Sequence, residues 1–199
     1  MKKLIFNDNN YQENAYLLID HDDALVIDIG PNISKIEEYL TINNLRLTKI
    51  LLTHGHFDHT MDLSKIDSDV EVYIHELEKN FLFDKSKSFA HIKLSDKIKI
   101  VTFKDLDEIV FGKNKIKVYH TPGHTIGSSC FYINNWLFSG DTLFKEGIGR
   151  TDLPTGNNKD IYKSLKFILT HFSKEVKVFP GHNEETTIKE EIDNNQFIK

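Results

Sequence analysis

The residues best suited to chemistry lie in one short segment that holds His54, His56, Asp58 and His59. Neutral imidazole nitrogens and carboxylate oxygens are ligands that Zn²⁺ binds at about 2.0–2.2 Å. Four such groups so close in the chain cannot easily close one tetrahedral shell, and sharing them between two ions is geometrically easier. The segment therefore predicts a metal-binding loop. The alternative is a loop whose histidines are ordinary polar side chains.

Three other segments place a residue of metal-binding type directly after a glycine, and these residues are His124, Asp141 and His182. Each of them follows a short apolar run that is typical of a strand. Because α/β proteins tend to place their sites in loops at strand ends, four such loops can converge on one point. Together they predict one composite metal site. Four histidines outside these segments are expected to be solvated or capping residues: His21, His75, His91 and His171. His120 precedes the turn at Thr121, and a role in orienting a metal ligand is the alternative for it.

The elements that must position these loops are short strands that alternate with helical segments. Strands are predicted at residues 15–19, 24–27, 49–53, 70–74, 97–102, 108–111, 115–119, 128–133, 136–138 and 176–179. Helices are predicted at residues 32–43, 76–83, 159–172 and 186–194, and a polar surface loop at 84–96. The uninterrupted run at 49–53 predicts a strand that is buried on both faces. The order of elements predicts one α/β domain over residues 1–199.

Composition narrows the range of partners. The 199 residues include 25 Lys and Arg against 30 Asp and Glu, a net charge of −5. A mildly acidic chain has no general attraction to nucleic acid or anionic membranes, so we expect neither as a partner. The single cysteine, Cys130, and an N-terminal apolar run of only residues 4–6 predict a cytoplasmic protein without a signal peptide. The expected partner is a small-molecule substrate.

The order of these motifs resembles the metallo-β-lactamase superfamily. The resemblance runs from residues 14–16 to residues 180–182, which is nearly the whole chain. Segments 121–128 and 140–144 are similar to those of the hydroxyacylglutathione hydrolases (glyoxalase II), especially their short bacterial relatives. Segment 147–152 resembles persulfide dioxygenases of the same fold. The resemblance implies a single-domain, four-layer αββα sandwich with metal ions at one edge, between the two sheets.

The resemblance also implies a role for each candidate residue. Seven side chains would be metal ligands: His54, His56 and His124 for one ion, Asp58, His59 and His182 for the other, and Asp141 as the bridge. Asp28 matches a family aspartate beside the metal loop and would orient a ligand histidine through its second ring nitrogen. The alternative for Asp28 is a cap on the turn at Gly30. The implied cofactor is two Zn²⁺ per chain, with Fe or Mn possible in place of one or both.

The activity that the resemblance implies is hydrolysis of a thioester by a metal-bound hydroxide, as in the hydroxyacylglutathione hydrolases. Asp58 could also accept a proton in this reaction. The first alternative is a mononuclear Fe(II) persulfide dioxygenase, whose two-histidine, one-carboxylate triad would be His54, His124 and Asp141. The second alternative is a lactonase or β-lactamase on the same fold.

Two departures from the glyoxalase II pattern concern substrate recognition. The sequence runs only from His182 to residue 199, so the added C-terminal helical region that helps those enzymes bind glutathione is not expected. Arg150 stands at the position of a basic family residue, but Asp152 stands where those enzymes often have a tyrosine. We expect Arg150 to bind a substrate carboxylate through its planar guanidinium. The alternative is an ion pair of Arg150 with Asp152 or Asp141.

Overall fold

The computed structural model describes residues 1–8, 10–89 and 92–198, which form two mixed β-sheets with helices on their outer faces. The strands are β1 (Lys2–Asn7), β2 (Asn14–Asp20), β3 (Asp23–Ile27), β4 (Arg46–Leu51), β5 (Val70–His75), β6 (Ile98–Phe103), β7 (Glu108–Phe111), β8 (Asn114–His120), β9 (Ser129–Ile133), β10 (Trp136–Gly140), β11 (Leu143–Phe144), β12 (Gly147–Ile148), β13 (Lys177–Pro180) and β14 (Thr186–Thr187). The α-helices are α1 (Ile33–Ile42), α2 (Phe57–Thr60), α3 (Lys79–Phe83), α4 (Lys85–Ser88), α5 (Asn158–His171) and α6 (Ile188–Asn194). Short 3-10 helices cover Met61–Lys65 and Gln196–Ile198.

The two large sheets share a mixed pattern of strand directions. The first has the order β1-β2-β3-β4-β5-β6, in which β1 to β3 pair antiparallel and β3 to β6 pair parallel. The second has the order β14-β13-β10-β9-β8-β7, in which only β10 and β13 pair parallel. Strands β11 and β12 form a separate hairpin. Since parallel neighbours end at the same edge of a sheet, these pairs bring their following loops together.

Alternation along the strands divides the apolar side chains between two faces of each sheet. In β2, Leu17 packs on the outer face with helix α1, whereas Leu18 faces the second sheet. Phe131 and Phe138 of the second sheet belong to the same cluster as Leu18, between the sheets. Burying each side chain of this size contributes about 1.5–3 kcal/mol to folding. The sandwich is therefore held by a core between its two sheets.

Amphipathic helices cover the outer faces of both sheets. Their buried positions recur every three or four residues, which places them on one side of each helix: Ile33, Ile36 and Leu40 in α1, and Ile161, Leu165 and Ile168 in α5. The resulting layers, helix, sheet, sheet and helix, confirm the single-domain αββα architecture. No helix in the described part of the chain is long and apolar enough to cross a membrane.

The segment after β5 differs from the prediction. Helix α3 begins three residues later than expected, because residues 75–78 form a turn closed by a backbone hydrogen bond. The loop predicted at 84–96 contains helix α4, which Asp84 caps by accepting the N–H of Ser86. Residues 90 and 91 of that segment lie outside the described residues.

The strands also differ from the prediction: the two-residue strands β11, β12 and β14 were not predicted, and β14 occupies the start of the helix predicted at 186–194. Strand β4 begins at Arg46 and is buried only from Ile50 onward. Its middle is partly exposed at Lys49, which lies beside Glu71 of the paired strand β5, with its Nζ 2.6 Å from that carboxylate. Strand β1 was not predicted, and its exposed and half-buried residues follow no strict alternation. It is a strand because it pairs with β2 along its whole length.

Candidate metal centre

Four loops at one edge of the sandwich carry the predicted metal ligands. The seven residues follow the ends of four strands: His54, His56, Asp58 and His59 after β4, His124 after β8, Asp141 after β10 and His182 after β13. Strand β4 belongs to the first sheet and the other three strands to the second. The structure brings all seven side chains together where the edges of the two sheets face each other.

Backbone contacts between the loops depend on two glycines. The N–H of Ser129 donates to the carbonyl of Thr53, and the N–H of Gly181 donates to that of Gly140, each at 2.9 Å. Gly140 has a φ of +49°, and a Cβ on it would lie 2.5 Å from Oγ1 of Thr53. A Cβ on Gly181 would lie 2.3 Å from Oδ1 of Asp141. A side chain at either position would therefore push the loops apart.

Three buried histidines form the first cluster. Nδ1 of His56 lies 3.0 Å from Nε2 of His54 and 2.9 Å from Nε2 of His124. Burial, reinforced by the neighbouring histidines, lowers the pKa of His56 to about 3 and holds the pKa of His54 well below its usual range. These two imidazoles are therefore neutral at pH 7 and offer nitrogen lone pairs to the centre of the cluster.

Asp58, His59 and His182 form the second cluster, and Asp141 lies between the two. Nε2 of His182 is 3.3 Å from Oδ2 of Asp58. Oδ1 of Asp141 is 3.3 Å from Nε2 of His59, and its Oδ2 is 3.5 Å from Nε2 of His124. One carboxylate therefore contacts histidines of both clusters.

Carboxylates dominate the electrostatics around His59. Burial lowers the pKa of His59, but the surrounding carboxylates, led by Asp141 and Asp28, outweigh burial and raise it well above its usual value. Burial raises the pKa of Asp141, but the nearby histidines, led by His59, outweigh burial and lower it well below its usual value. The site thus concentrates negative charge that a bound cation would balance.

A second contact orients the rings of four histidines. In each ring the nitrogen that points away from the cluster meets an oxygen: Thr53 Oγ1 for His54 (3.1 Å), Asp28 Oδ2 for His59 (3.0 Å), the Arg150 carbonyl for His124 (2.8 Å) and the Gln12 carbonyl for His182 (3.2 Å). An oxygen acceptor favours the tautomer in which that nitrogen carries the proton. The nitrogen that faces the cluster is then free to bind a metal ion.

The donor set fits divalent metal ions. Nε2 of His59 and Oδ1 of Asp141 are buried and have no hydrogen-bond partner among the described residues. Leaving a buried polar atom unpaired costs about 1–3 kcal/mol, and a cation near both atoms would remove that cost. Imidazole and carboxylate are also the ligand types that zinc and iron accept in proteins.

Asp28 lies buried beside the metal loop with a φ of +50°. Its Oδ1 accepts the N–H of Thr53 at 2.8 Å, and its Oδ2 accepts the Thr53 hydroxyl at 2.7 Å. The same Oδ2 lies 3.0 Å from Nδ1 of His59, which is the contact that the resemblance implies. The turn at Gly30 is held instead by the carbonyl of His59, which accepts the Gly30 N–H.

Sequence reasoning missed two buried glutamates that support the loops. Glu13 is fully buried, and its Oε2 accepts a hydrogen bond from Nδ2 of Asn32 at 2.9 Å. Glu78 is fully buried and accepts the N–H groups of Gly55 and Gly127. Neither glutamate stands in a motif, and their partners are distant in sequence. The sequence therefore carries no signal that separates them from surface acids.

Five of the predicted ligands line an open cavity of about 410 Å³: His56, Asp58, His124, Asp141 and His182. Among the described residues, the other side chains that line it are Arg150, Phe57, Phe89, Phe144, Ile148 and Leu153. Nε and one terminal nitrogen of Arg150 each lie 2.7 Å from an oxygen of Asp152. This exposed, bidentate pair is one of the two ion pairs that the sequence left open as alternatives for Arg150.

The histidines outside the predicted ligand set belong to other parts of the surface and core. His21 lies in an exposed turn. His75 is 4% exposed and stacks on His120 with ring centroids 4.2 Å apart, and its Nδ1 accepts the N–H of Leu77 at 3.3 Å, so it is a buried capping residue and not a solvated one. His171 packs against the aromatic side chain of Tyr119. His91 lies outside the described residues.

Known proteins resemble this chain over nearly its whole length. Residues 8–182 match the family described as the metallo-beta-lactamase superfamily. The probable metallo-hydrolase YqgX of Bacillus subtilis (strain 168) is 36% identical over 198 residues, with 94% of this chain and 92% of that protein covered. The hydroxyacylglutathione hydrolase GloC of Haemophilus influenzae is 29% identical over 198 residues, with coverage of 94% and 93%.

Solved structures agree with this match. BLEG-1 B3 metallo-beta-lactamase is 30% identical, with all of both chains covered and a TM-score of 0.89. ETHE1 from Myxococcus xanthus is 26% identical, with 100% of this chain and 84% of that chain covered and a TM-score of 0.81. TTHA1623 in a di-iron-bound form is 30% identical, with coverage of 98% and 99% and a TM-score of 0.83. This protein belongs to the metallo-β-lactamase superfamily.

Proposed function

We propose that this protein is a metal-dependent thioesterase of the hydroxyacylglutathione hydrolase type. The superfamily and the relative named as a metallo-hydrolase support a metal-dependent hydrolase, and the similarity to GloC supports a thioester substrate. The observation that carries the proposal is the convergence of five histidines and two aspartates, of which three histidines and both aspartates line one open cavity.

Two divalent ions would bind in the two clusters. His54, His56 and His124 would hold one ion, Asp58, His59 and His182 the other, and Asp141 would contact both. The di-iron form of TTHA1623 supports a pair of ions on this fold. Zn²⁺ is our first choice because tetrahedral sites of histidine and carboxylate suit it, and iron or manganese are the alternatives. When bound, such ions polarise a substrate carbonyl and activate water at neutral pH.

The chain leaves one side of the centre open to a substrate. The side chains of Asp58 and His182 are 21% and 19% exposed, whereas that of His59 is fully buried. Burial raises the pKa of Asp58, but His59 and His182 outweigh burial and lower it, so the carboxylate is ionised at pH 7. Asp58 therefore faces the cavity in the form that can accept a proton from water.

The described residues that line the cavity include no separate proton donor for a leaving group. Among the described residues that line it, Arg150 is the one ionisable side chain outside the predicted ligand set. A guanidinium does not give up its proton near neutral pH. A thiol has a pKa of about 8.5 and leaves as a thiolate, whereas an amine must be protonated to leave. The site therefore favours thioesters over amides.

The walls of the cavity define the kind of substrate. Phe89 packs its ring 5.8 Å from that of His56, and Phe144 packs 6.0 Å from His182, so each cluster has an aromatic wall. We propose that an apolar part of the substrate lies between them. We also propose that a substrate carboxylate binds Arg150 by replacing Asp152, because an exposed ion pair contributes little to stability.

An anaerobic thioesterase assay tests the proposal. The zinc-loaded protein is incubated without oxygen with S-lactoylglutathione and with an uncharged phenylacetyl thioester, and the released thiol is measured. We expect thiol release from at least one of them, and no release from the same protein after metal removal. If the protein cleaves neither thioester but hydrolyses a β-lactam such as nitrocefin, the proposal is contradicted. That result would favour β-lactamase activity, as named for the similar structure BLEG-1.

A second candidate is a persulfide dioxygenase. The segment 147–152, which resembles persulfide dioxygenases of the same fold, favours it. In that case a single Fe(II) would bind to His54, His124 and Asp141. The protein should then consume oxygen with glutathione persulfide and should release no thiol from thioesters. Oxygen uptake measured beside the anaerobic assay separates the two candidates.

A further inference from the structure

One buried carboxylate outside the ligand set joins two of the ligand loops. Glu78 lies between β5 and α3, and its side chain is fully buried. Its Oε2 accepts the N–H of Gly55 at 3.0 Å, and its Oε1 accepts the N–H of Gly127 at 2.8 Å. Gly55 is the centre of the turn 54–56, and Gly127 stands three residues after His124. The side chain of Glu78 therefore connects the two backbone segments that carry the three histidines of the first cluster.

The packing around Glu78 leaves these loops little freedom. A Cβ on Gly127 would lie 2.5 Å from Cγ of Glu78. A Cβ on Gly55 would lie 3.0 Å from Oε2 of Glu78 and 2.8 Å from Cδ1 of Phe81. The two carboxylate oxygens of Glu78 thus set the distance between the turn 54–56 and the loop that follows His124.

Burying this carboxylate has a cost that its hydrogen bonds offset in part. Burial raises the pKa of Glu78 above its usual value, and hydrogen bonds from Thr125, Gly127 and Gly55 reduce this rise without cancelling it. A buried carboxylate is tolerated only where such donors satisfy it, and an apolar residue of similar size would avoid the cost. The donors here belong to ligand-bearing loops, which points to a role in the metal centre.

We propose that Glu78 is a positioning residue that holds the three-histidine cluster ready for its metal ion. This inference rests on the proposed function, in which that cluster binds a metal. By fixing the turn 54–56 against the loop after His124, Glu78 keeps Nδ1 of His56 2.9 Å from Nε2 of His124. The second cluster is oriented by other groups, since His59 contacts Asp28. The effect of Glu78 is therefore selective for the first cluster.

The test compares Glu78→Gln with a matched control. Glutamine keeps the size of the side chain but presents an N–H group to one of the two backbone donors, so one loop is released. Glu191→Gln is the control, because Glu191 is also fully buried and accepts the N–H of Glu146 at 3.0 Å and the hydroxyl of Thr186 at 2.7 Å. The Zn²⁺ affinity of each variant is measured by competition with a chromophoric chelator.

Each of these substitutions is made in two parent variants, and each parent retains the complete ligand set of only one cluster. His182→Ala removes a ligand of the second cluster and leaves the three histidines, whereas His56→Ala does the reverse. In the His182→Ala background, we expect Glu78→Gln to weaken Zn²⁺ binding about 10- to 100-fold, the usual effect of losing a group that orients ligands. In the His56→Ala background it should leave the affinity unchanged. Glu191→Gln should change the affinity in neither background.

Two results would overturn the inference. One is an unchanged Zn²⁺ affinity of Glu78→Gln in the His182→Ala background, and the other is an equal loss in both backgrounds. If Glu78→Gln does not fold, Gly127→Ala replaces it, since its Cβ pushes on Cγ of Glu78. It must then give the same selective loss. A wild-type protein that binds no Zn²⁺ refutes the proposed function itself, whereas normal wild-type binding with insensitive variants overturns only the role of Glu78.

Discussion

Replacing Asp141 by asparagine removes the one charge that contacts both clusters and nearly keeps the shape of the side chain. Oδ1 lies 3.3 Å from Nε2 of His59, and Oδ2 lies 3.5 Å from Nε2 of His124 and 3.6 Å from Nε2 of His182. An asparagine would place an N–H group among these nitrogens, where no acceptor is free if the histidines bind metal. We therefore expect metal binding to weaken in both clusters.

The size of the effect follows from the lost charge. A unit charge about 4 Å from another contributes about 4 kcal/mol at an effective dielectric constant of about 20. Since about 1.4 kcal/mol corresponds to a factor of ten and Zn²⁺ carries two charges, the expected loss in metal affinity is at least on the order of a thousandfold. A site that binds Zn²⁺ with a dissociation constant of about 1 nM in the wild type would then bind it at about 1 µM and lose most of its metal on gel filtration, and activity with it.

The assay is plasma emission spectrometry of protein purified without added metal, followed by Zn²⁺ competition with a chelator. Asp20→Asn is the control, because Asp20 accepts the N–H of Lys113 at the other end of β2. The control should keep the wild-type metal content. Two tightly bound equivalents in Asp141→Asn would refute the view that this carboxylate is shared between two ions.

Three further predictions concern the second cluster and the cavity walls. His59→Ala and His182→Ala should each lower the metal content from two equivalents to one by plasma emission, and an unchanged single equivalent in both would favour the mononuclear dioxygenase. Arg150→Lys should raise KM about tenfold for an anionic thioester, through the loss of a charge-assisted contact, and spare an uncharged one. Equal losses on both substrates, or a lower Tm, would show that Arg150 only holds its loop. Phe89→Ala should lower kcat/KM for a phenylacetyl thioester and not for an acetyl thioester, whereas Phe83→Ala, which removes a similarly exposed ring (47% against 45%) away from the cavity, should affect neither. A loss shared by both substrates in Phe89→Ala would contradict an apolar contact with the acyl group.

The sandwich was predictable because its elements carry strong local patterns. Alternation in β2 separates Leu17 from Leu18, and the spacing in α1 and α5 marks one apolar face on each helix. The meeting of the four loops was also within reach, because each places His or Asp beside glycine at the end of a strand. Strand β1 was not predicted because it forms through its pairing with β2. Helix α4 was not predicted because it depends on a single cap residue, Asp84.

The support of the site was not predictable, since it rests on single side chains with distant partners. Glu78 meets backbone groups 23 and 49 residues away, and Glu13 meets Asn32 19 residues away. No local pattern marks such contacts. The partner of Arg150 was equally open, because Asp152 and Asp141 are both near it in the chain and only the folded loop selects Asp152.

The most direct test of the central claim is the metal content of the wild-type protein at saturation. The claim is that two clusters, joined by Asp141, each bind one ion. Plasma emission spectrometry after incubation with excess Zn²⁺ and gel filtration should find close to two equivalents per chain. A saturated content of one equivalent would contradict the claim.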